Sequence, residues 1–297
     1  MASLIPVTYH KKKYPHHIRP QIQEIAGHFD KTIIVPDASY SLHTEYSYMS
    51  RRLDTFLISD LFALTTAQKN GIPCLWFNSI WAEQFYVFLE RLINKNVSPE
   101  VLEIHPPFTD YCPSIEQFIE YFNLFDSLFH KKNLFTKILI ENRYGTLYRG
   151  GRFLFSTCSD ILALCSAIKK TNTHLKVVLD YPQLMSAEQI TPDSMDLTKI
   201  LVFNEKIKEF KDIIGGFHLW GKRKSKTSTR WVPHSGDLNS LFDDNIRNKH
   251  IFLQSIREAF NDNVDRYFVP EVNSKEEDLL SIITDMENEG FVFNSNT

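Results

Sequence analysis

The chain has 297 residues, of which 43% are hydrophobic and 23% are charged, and its formal net charge is −3. This composition excludes a disordered chain, and the length suits a single α/β barrel. The near-neutral charge leaves a polyanionic partner open only where a local basic patch exists. No apolar run approaches the about 20 residues of a membrane span, and the first residues predict no signal peptide. The four cysteines lack CxxC spacing and predict free thiols, so we expect a cytoplasmic protein.

Eight short runs rich in apolar and β-branched residues predict strands that are covered on both faces, as in a parallel sheet. In chain order these runs are Leu4–Tyr9, Thr32–Pro36, Cys74–Asn78, Val101–His105, Lys137–Asn142, Lys176–Tyr181, Gly215–Trp220 and Arg266–Glu271. Amphipathic segments of helix length separate most of them, for example Ser114–His130, which has Ser114 as its predicted N-cap. The alternation predicts either a closed barrel or an open doubly wound sheet.

Two observations favour the barrel. The first predicted strand is not followed by the GxGxxG pattern of a dinucleotide-binding sheet. Polar residues able to bind a metal fall at the carboxyl ends of several strands, which is the face where barrel enzymes assemble their sites. We therefore predict an α/β fold, a single (β/α)8 TIM barrel formed by residues 1–297. Nothing in the sequence assigns a role to the polar segment 37–50, which contains Asp37, His43 and Glu45.

A carboxylate or an imidazole follows the apolar run of four successive predicted strands, at Glu141, Asp180, His218 and Glu271. A carboxylate in that position is costly to bury unless it has a partner. One divalent cation bound by all four side chains would be that partner, and three carboxylates with one imidazole suit Zn²⁺, Mn²⁺ or Mg²⁺. The alternative is that each residue is a polar strand end that only approaches solvent.

Two further histidines are candidates for a second ion or for a substrate contact. His105 follows the fourth predicted strand. His234 lies in the long loop after the seventh, where Ser235, Gly236 and Asp237 predict a tight turn that aims its side chain. The alternatives are a capped histidine at a strand end and a solvated loop histidine.

Six short segments carry a family resemblance: Ile104-His105-Pro106, Leu139-Ile140-Glu141-Asn142, Leu179-Asp180, His218-Leu219, His234-Ser235 with Asp237, and Pro270-Glu271. In order and spacing they resemble motifs of the xylose isomerase-like barrel superfamily, and within it the endonuclease IV and ultraviolet-damage endonuclease families. The resemblance covers roughly residues 70 to 285 and implies a barrel enzyme with divalent metal ligands at these positions.

The chain departs from the two endonuclease families at several positions. Pro182 or Gln183 stands where these families place a histidine after the sixth strand, and Val232 stands where endonuclease IV has an aspartate. The third predicted strand ends at Asn78, without a histidine. These departures imply one or two metal ions rather than three.

A basic loop follows the seventh predicted strand. The segment Lys222–Arg230 contains five cationic side chains and is bracketed by Trp220 and Trp231. This pattern predicts a phosphate clamp with rings that stack on a base or a sugar, and the alternative is a solvated loop. The predicted substrate contacts are Arg143, Tyr148, Arg149, Trp220 and Arg230.

These expectations combine into a leading hypothesis and two alternatives. The leading hypothesis is a metal-dependent phosphodiester hydrolase that acts on abasic or damaged DNA, with Glu141, Glu271, His234 and Lys222 as catalytic residues. The first alternative is a sugar or sugar-phosphate isomerase or epimerase, in which Glu141 and Glu271 move protons. The second alternative is a barrel that binds a nucleic acid or a protein without turnover.

Overall fold

The computed structural model describes residues 1–27, 34–44, 55–66, 68–69, 72–93, 97–145, 151–171 and 173–294. Its strands are β1 (Ala2–Thr8), β2 (Ile22–Ala26), β3 (Ser39–His43), β4 (Gln68–Lys69), β5 (Ile72–Pro73), β6 (Val101–Ile104), β7 (Lys137–Glu141), β8 (Lys176–Asp180), β9 (Ile214–Leu219), β10 (Arg223–Lys224), β11 (Trp231–Val232), β12 (Asp265–Pro270) and β13 (Phe291–Phe293). Its helices are α1 (Thr55–Ile58), α2 (Phe62–Thr66), α3 (Ser79–Leu92), α4 (Ile115–Phe129), α5 (Cys158–Thr171), α6 (Tyr181–Ala187), α7 (Thr198–Ile207), α8 (Leu238–Leu241), α9 (Ile246–Ala259) and α10 (Glu276–Asn288).

Eight parallel strands close into a barrel. The strands pair in the order β1, β2, β3, β6, β7, β8, β9 and β12. The last strand pairs back to the first, with Leu4 opposite Arg266, so the sheet has no open edge among these eight strands. β13 adds a ninth strand beside β1. The predicted (β/α)8 fold is therefore confirmed.

The alternation of side chains along each strand divides the barrel interior into two layers. On β6, Leu102 and Ile104 face the surrounding helices, whereas Val101 and Glu103 face inward. The lower layer of inward side chains is largely apolar and contains Ile5, Val7, Ile22, Val101, Leu139, Val178, Tyr267 and Val269, with the small side chain of Ser41 beside Val101. The upper layer, two residues further along the strands, carries the charged side chains described below. The lower layer is a packed, largely apolar floor beneath them.

The outer core lies between the strands and the helices. Between α3 and α4 it is largely aromatic, because Trp76 packs against Trp81, Phe85, Phe118 and Phe125 with ring centroids 5.0–5.7 Å apart. Each such side chain contributes about 1.5–3 kcal/mol on burial. No helix in the described part of the chain is both long enough and apolar enough to cross a membrane.

The second and third predicted strands are wrong. Residues 34–36 form no strand, and 32–33 lie outside the described residues. Cys74–Asn78 forms a turn, and Asn78 caps α3 by accepting a hydrogen bond from the Trp81 amide at 2.8 Å. The second and third barrel strands are instead Ile22–Ala26 and Ser39–His43. Both are interrupted by inward polar side chains, so a search for continuous apolar runs passes over them.

Candidate metal centre

The upper layer of the barrel and the loops above it bring nine titratable side chains together at the carboxyl ends of the strands. This mouth cluster consists of Glu24, His43, Glu103, His105, Glu141, Asp180, His218, His234 and Glu271. Seven of the nine are buried, the exceptions being the partly exposed Glu24 and His234. Parallel strands that end in one ring place these groups together, although they are up to 247 residues apart in sequence (Glu24 to Glu271).

His43, His105 and Glu141 form one group of potential ligands. The Nε2 atom of His105 lies 2.6 Å from Oε2 of Glu141 and 3.2 Å from Nε2 of His43. The Nδ1 atom of His105 lies 2.7 Å from the carbonyl oxygen of Thr44, which can only accept, so Nδ1 carries the ring proton. In the neutral ring Nε2 then directs a lone pair at a carboxylate oxygen. The guanidinium of Arg143 lies beside this pair, with Nη1 2.7 Å from Nε2 of His105, and a metal ion bound by His105 and Glu141 would take its place.

Glu141 also belongs to a second group, with Asp180, His218 and Glu271. One ligand atom from each residue lies within 4.8 Å of the others. The Nδ1 atom of His218 is 3.4 Å from Glu271 and 3.8 Å from Glu141. Neither ring nitrogen of this fully buried histidine has a hydrogen-bond partner within the described ranges. A buried imidazole without such a partner, surrounded by carboxylates, fits a cation-binding site.

Glu103 and Glu24 extend the cluster across the barrel. Oε1 of Glu103 lies 3.0 Å from Nε2 of His218, but no hydrogen bond to it is formed by any described residue. Glu24 lies 3.4 Å from Nδ1 of His43 and, with His43 and Glu271, forms a third group of potential ligands. His43 and Glu271 therefore each belong to two groups, and the cluster is continuous.

The carboxylates of the mouth cluster differ in charge state. Burial raises the pKa of Asp180 well above its usual value, and the nearby Glu141 and Glu271 raise it further. Burial acts in the same direction on Glu141, but the neighbouring histidines outweigh it and lower the pKa well below its usual value. The positive charge of His218 likewise outweighs burial at Glu271 and lowers that pKa to about 2. The pKa values of Glu141 and Glu271 are therefore lowered, whereas that of Asp180 is raised.

The histidines also fall into two kinds. Burial lowers the pKa of His43 and His218, but the charge of Glu103 outweighs it and raises both well above the usual value. Burial lowers the pKa of His105 and of His234, which stay neutral. Protons on His43 and His218 thus offset the carboxylate charge, and a divalent cation would replace them.

Hydrogen bonds fix both the carboxylate and the backbone of Asp180. Its Oδ1 accepts a hydrogen bond from the Gln183 amide at 2.9 Å and thereby caps α6, and its Oδ2 accepts one from the Trp220 indole at 2.9 Å. The Asn142 side chain pairs with the backbone of Asp180 through bonds of 2.9 and 3.0 Å. These contacts restrict the Asp180 carboxylate to one orientation, in which it faces the mouth cluster.

His234 stands at the rim in a strained backbone conformation. Its φ is +54°, and it is followed by Gly236 at φ +128° and by Asp237, which caps α8. Its ring stacks on Trp220 with centroids 4.1 Å apart. Its Nδ1 lies 3.0 Å from the carbonyl oxygen of Glu271, which leaves Nε2 of the neutral ring unprotonated. The turn includes His234 itself and precedes residues 235–237, where the sequence predicted it, and His234 lies beside Glu271.

Lys222 is the cation of the basic loop that lies nearest the cluster. It is buried, its Nζ donates to Ser186 Oγ at 2.5 Å, and the amine lies 5.6 Å from the centre of the Trp220 ring. Burial lowers its pKa to about 8, an effect that the charge of Asp180 opposes. Its amine is therefore able to exchange a proton near neutral pH.

The other loop cations differ in availability. Arg223 forms a two-bond ion pair with Asp278, with both distances 2.6 Å, and Lys224 pairs with Asp193 at 2.8 Å. Lys226 and Arg230 are exposed. The sequence therefore overstates the charge that the loop offers to a ligand.

The predicted substrate contacts have different outcomes. Arg143 lies at the cluster, with Nη1 2.7 Å from Nε2 of His105. Trp220 is only 2% exposed, so it supports Asp180 and His234 and its ring is not a surface on which a base stacks, contrary to expectation. Tyr148 and Arg149 lie outside the described residues.

Sequence reasoning missed three members of the cluster: Glu24, Glu103 and His43. Glu24 and His43 lie on the two strands that were misplaced. The predicted third strand ended at Asn78, without a histidine, whereas the third strand of the barrel ends at His43. Glu103 had a usable signal, because a carboxylate inside the apolar run of β6, two residues before His105, points to the same side as that histidine.

Comparison with known proteins gives structural similarity only. No family model and no curated protein matches the sequence. The structure of AsfvAP:AG aligns with a TM-score of 0.49 at 10% identity over 84% of this chain and 85% of that one. A protein named as a xylose isomerase from Rhodospirillum rubrum ATCC 11170 aligns with a TM-score of 0.35 at 11% identity, over 70% of this chain and 64% of that one. The GH53 catalytic domain of Ignisphaera aggregans aligns with a TM-score of 0.37 at 9% identity, over 89% of this chain and 72% of that one. The barrel assignment rests on the strand pairing itself.

Proposed function

We propose that this protein is a metal-dependent phosphodiester hydrolase that cleaves DNA and that its mouth cluster holds two divalent ions. The observation that carries the proposal is that two groups of ligand atoms share Glu141. A pair of ions joined at one site can stabilise both the attacking and the leaving oxygen of a phosphodiester. The mixed imidazole and carboxylate donors suit Zn²⁺ or Mn²⁺ better than Mg²⁺, which prefers oxygen.

The donors divide between the two ions. His43, His105 and Glu141 would hold one ion, and Glu141 with Asp180, His218 and Glu271 would hold the other. Bound divalent ions supply Lewis acidity toward the phosphate and a nucleophile at neutral pH. The chain itself contributes the fixed orientation of these side chains, because backbone groups hydrogen-bond to Asp180 and His105.

The residues at the rim would handle protons and phosphate charge. His234 is neutral and its Nε2 can accept a proton, so it suits the role of a base at the mouth. Lys222 would donate a proton to the leaving oxygen or offset its charge, and Arg143 would bind a phosphate oxygen. The exposed Lys226 and Arg230 would contact phosphates further along the strand.

A nicking assay tests the proposal. Purified protein loaded with Zn²⁺ or with Mn²⁺ should convert supercoiled plasmid carrying abasic sites or ultraviolet lesions into the nicked form. Glu271→Gln should lose this activity. Glu188→Gln is the matched control, because Glu188 is a poorly exposed glutamate outside the mouth that pairs with Lys199. Failure of the fully loaded wild-type protein to cleave any of these plasmids would refute the proposal.

A sugar or sugar-phosphate isomerase is the second candidate. The observation that favours it is the internal pairing of Arg223 and Lys224, which leaves a smaller positive surface than a long polyanion prefers. In that case Glu141 and Glu271 would move protons between carbons of a small substrate. Interconversion of an aldose and a ketose by the metal-loaded protein, without plasmid nicking, would favour this candidate.

A further inference from the structure

A separate group of metal-ligating side chains lies away from the mouth. This basal cluster consists of Asp126, His130 and His174, whose ligand atoms lie within 4.8 Å of one another. Asp126 lies in the last turn of α4, His130 is the residue that ends that helix, and His174 lies two residues before the start of β8. In a barrel each helix returns toward the amino ends of the strands, so the basal cluster lies on the face opposite the mouth.

The geometry of His130 points to a missing positive partner. Its Nε2 lies 3.0 Å from the carbonyl oxygen of Thr136, so Nε2 carries the proton. In the neutral ring Nδ1 then presents a lone pair 2.6 Å from Oδ1 of Asp126. Neither of these two buried atoms has a hydrogen-bond partner in the part of the chain that the structure describes. Two electron-rich atoms at this separation require a proton or a metal ion between them.

His174 opens the cluster to solvent. Its Nδ1 lies 2.9 Å from Oδ2 of Asp126, and its side chain is 72% exposed, against 11% for Asp126. The rings of His174 and His130 lie 5.1 Å apart. The carboxylate therefore lies between one sheltered and one accessible imidazole.

We propose that the basal cluster binds one divalent cation of the zinc class through Asp126 and the Nδ1 atoms of His130 and His174, with water as the fourth ligand. Two imidazoles and one carboxylate are a common zinc donor set. A histidine that donates its other ring N–H to a backbone carbonyl is the usual arrangement around such an ion. Tetrahedral ligand atoms lie about 3.3 Å apart, so the 2.6 Å pair separates slightly on binding.

The ion links two parts of the barrel that the chain joins only through β7 and α5. It connects the carboxyl end of α4 to the segment that leads into β8. Because the unfolded chain does not hold these three side chains together, the ion binds the folded state selectively and stabilises it. The basal cluster is therefore a structural site that is independent of the reaction at the mouth.

The competing explanation is a metal-free ion pair in which His130 is protonated. The close approach of the Asp126 carboxylate raises the pKa of His130, which such a pair also requires. The two explanations differ in their response to zinc, because an ion bound by this cluster must displace the proton from His130, whereas a metal-free pair keeps that proton at every zinc concentration.

Zinc titration of the full chain distinguishes them. Calorimetry and elemental analysis after dialysis should give one fewer bound Zn²⁺ for His174→Ala than for the wild type. The matched control is His250→Ala, which removes another exposed histidine that pairs with a carboxylate, Glu289, at 2.5 Å. That control should retain the full stoichiometry. At a hundredfold excess of zinc over the dissociation constant, the basal ion should raise the Tm by roughly 4 °C, and His174→Ala should lose this increment.

The same comparison is made in a Glu141→Gln background, so that the difference of one ion does not depend on what the mouth holds. In ¹⁵N spectra, zinc should shift Nδ1 of His130 in the wild type. Equal zinc stoichiometry in His174→Ala and the wild type, or an unshifted His130 at saturating zinc, would overturn the proposal without bearing on the hydrolase activity.

Discussion

Replacing Glu141 by glutamine is the most informative perturbation of the mouth cluster. The side chain keeps its volume but loses the charge that lies 2.6 Å from His105 and belongs to both groups of ligand atoms. A contact to a charged group contributes about 1.5–3 kcal/mol, so the loss at two ions amounts to about 3–6 kcal/mol. At about 1.4 kcal/mol per factor of ten, we expect ion affinity or kcat/KM to fall by roughly 10²–10⁴. The fold should survive, because the substitution also relieves repulsion with Asp180 and Glu271.

The assay combines elemental analysis, plasmid nicking and thermal unfolding of the same preparations. Glu188→Gln again controls for the loss of a glutamate charge outside the mouth, and it should keep wild-type ion content. Glu141→Gln should lose at least one ion while its metal-free Tm equals or exceeds that of the metal-free wild type. Wild-type ion content together with wild-type turnover would refute the assignment of Glu141 as the shared ligand.

Three further predictions concern charge. Metal binding should release protons, because His43 has a raised pKa and must lose its proton to become a ligand. The calorimetric enthalpy of metal binding should then vary with the ionisation enthalpy of the buffer. A binding enthalpy that is the same in all buffers would contradict this prediction. Lys222 has a folded-state pKa of about 8 against an ordinary 10.5, so burying its charge costs at most about 3 kcal/mol of folding free energy below pH 8, and this cost disappears as the pH rises above 10.5. Lys222→Met should therefore raise the Tm at pH 7 and lower the activity. An unchanged Tm would show that the amine is not desolvated. Replacing both Lys226 and Arg230 by alanine should reduce the slope of log affinity for DNA against log salt by about 2, which is about 1 for each cation. Lys224→Ala should reduce it by less than about 1, because Asp193 already pairs with Lys224, and a reduction of about 1 would mean that this ion pair opens on binding.

Six of the eight barrel strands could be predicted because they are apolar on both faces. β6 to β9 and β12 are nearly continuous hydrophobic runs in the sequence. The polar residues at the ends of four of them, Glu141, Asp180, His218 and Glu271, were therefore predicted as ligands. β2 and β3 could not be found in this way. Their inward positions hold Glu24 and His43, so the residues that make these strands functional also remove the hydrophobic signal that identifies a strand.

The charge of the basic loop was misjudged for a different reason. Counting cations along a sequence does not reveal which of them are already paired. Arg223 meets Asp278 from α10, which follows it by 55 residues, and Trp220 turns its indole toward Asp180 on β8. Such pairings are set by the closure of the barrel, and no local pattern near residues 220–230 encodes them.

The apolar layer beneath the mouth cluster makes exchange with solvent one-sided. Val101, Leu139 and Val178 lie under the charged side chains and hinder the approach of ions from below. Any ion held there must leave by the route through which substrate enters. A substrate seated over Arg143 and His234 would therefore block departure, and a chelator should strip metal more slowly from the occupied protein than from the empty one.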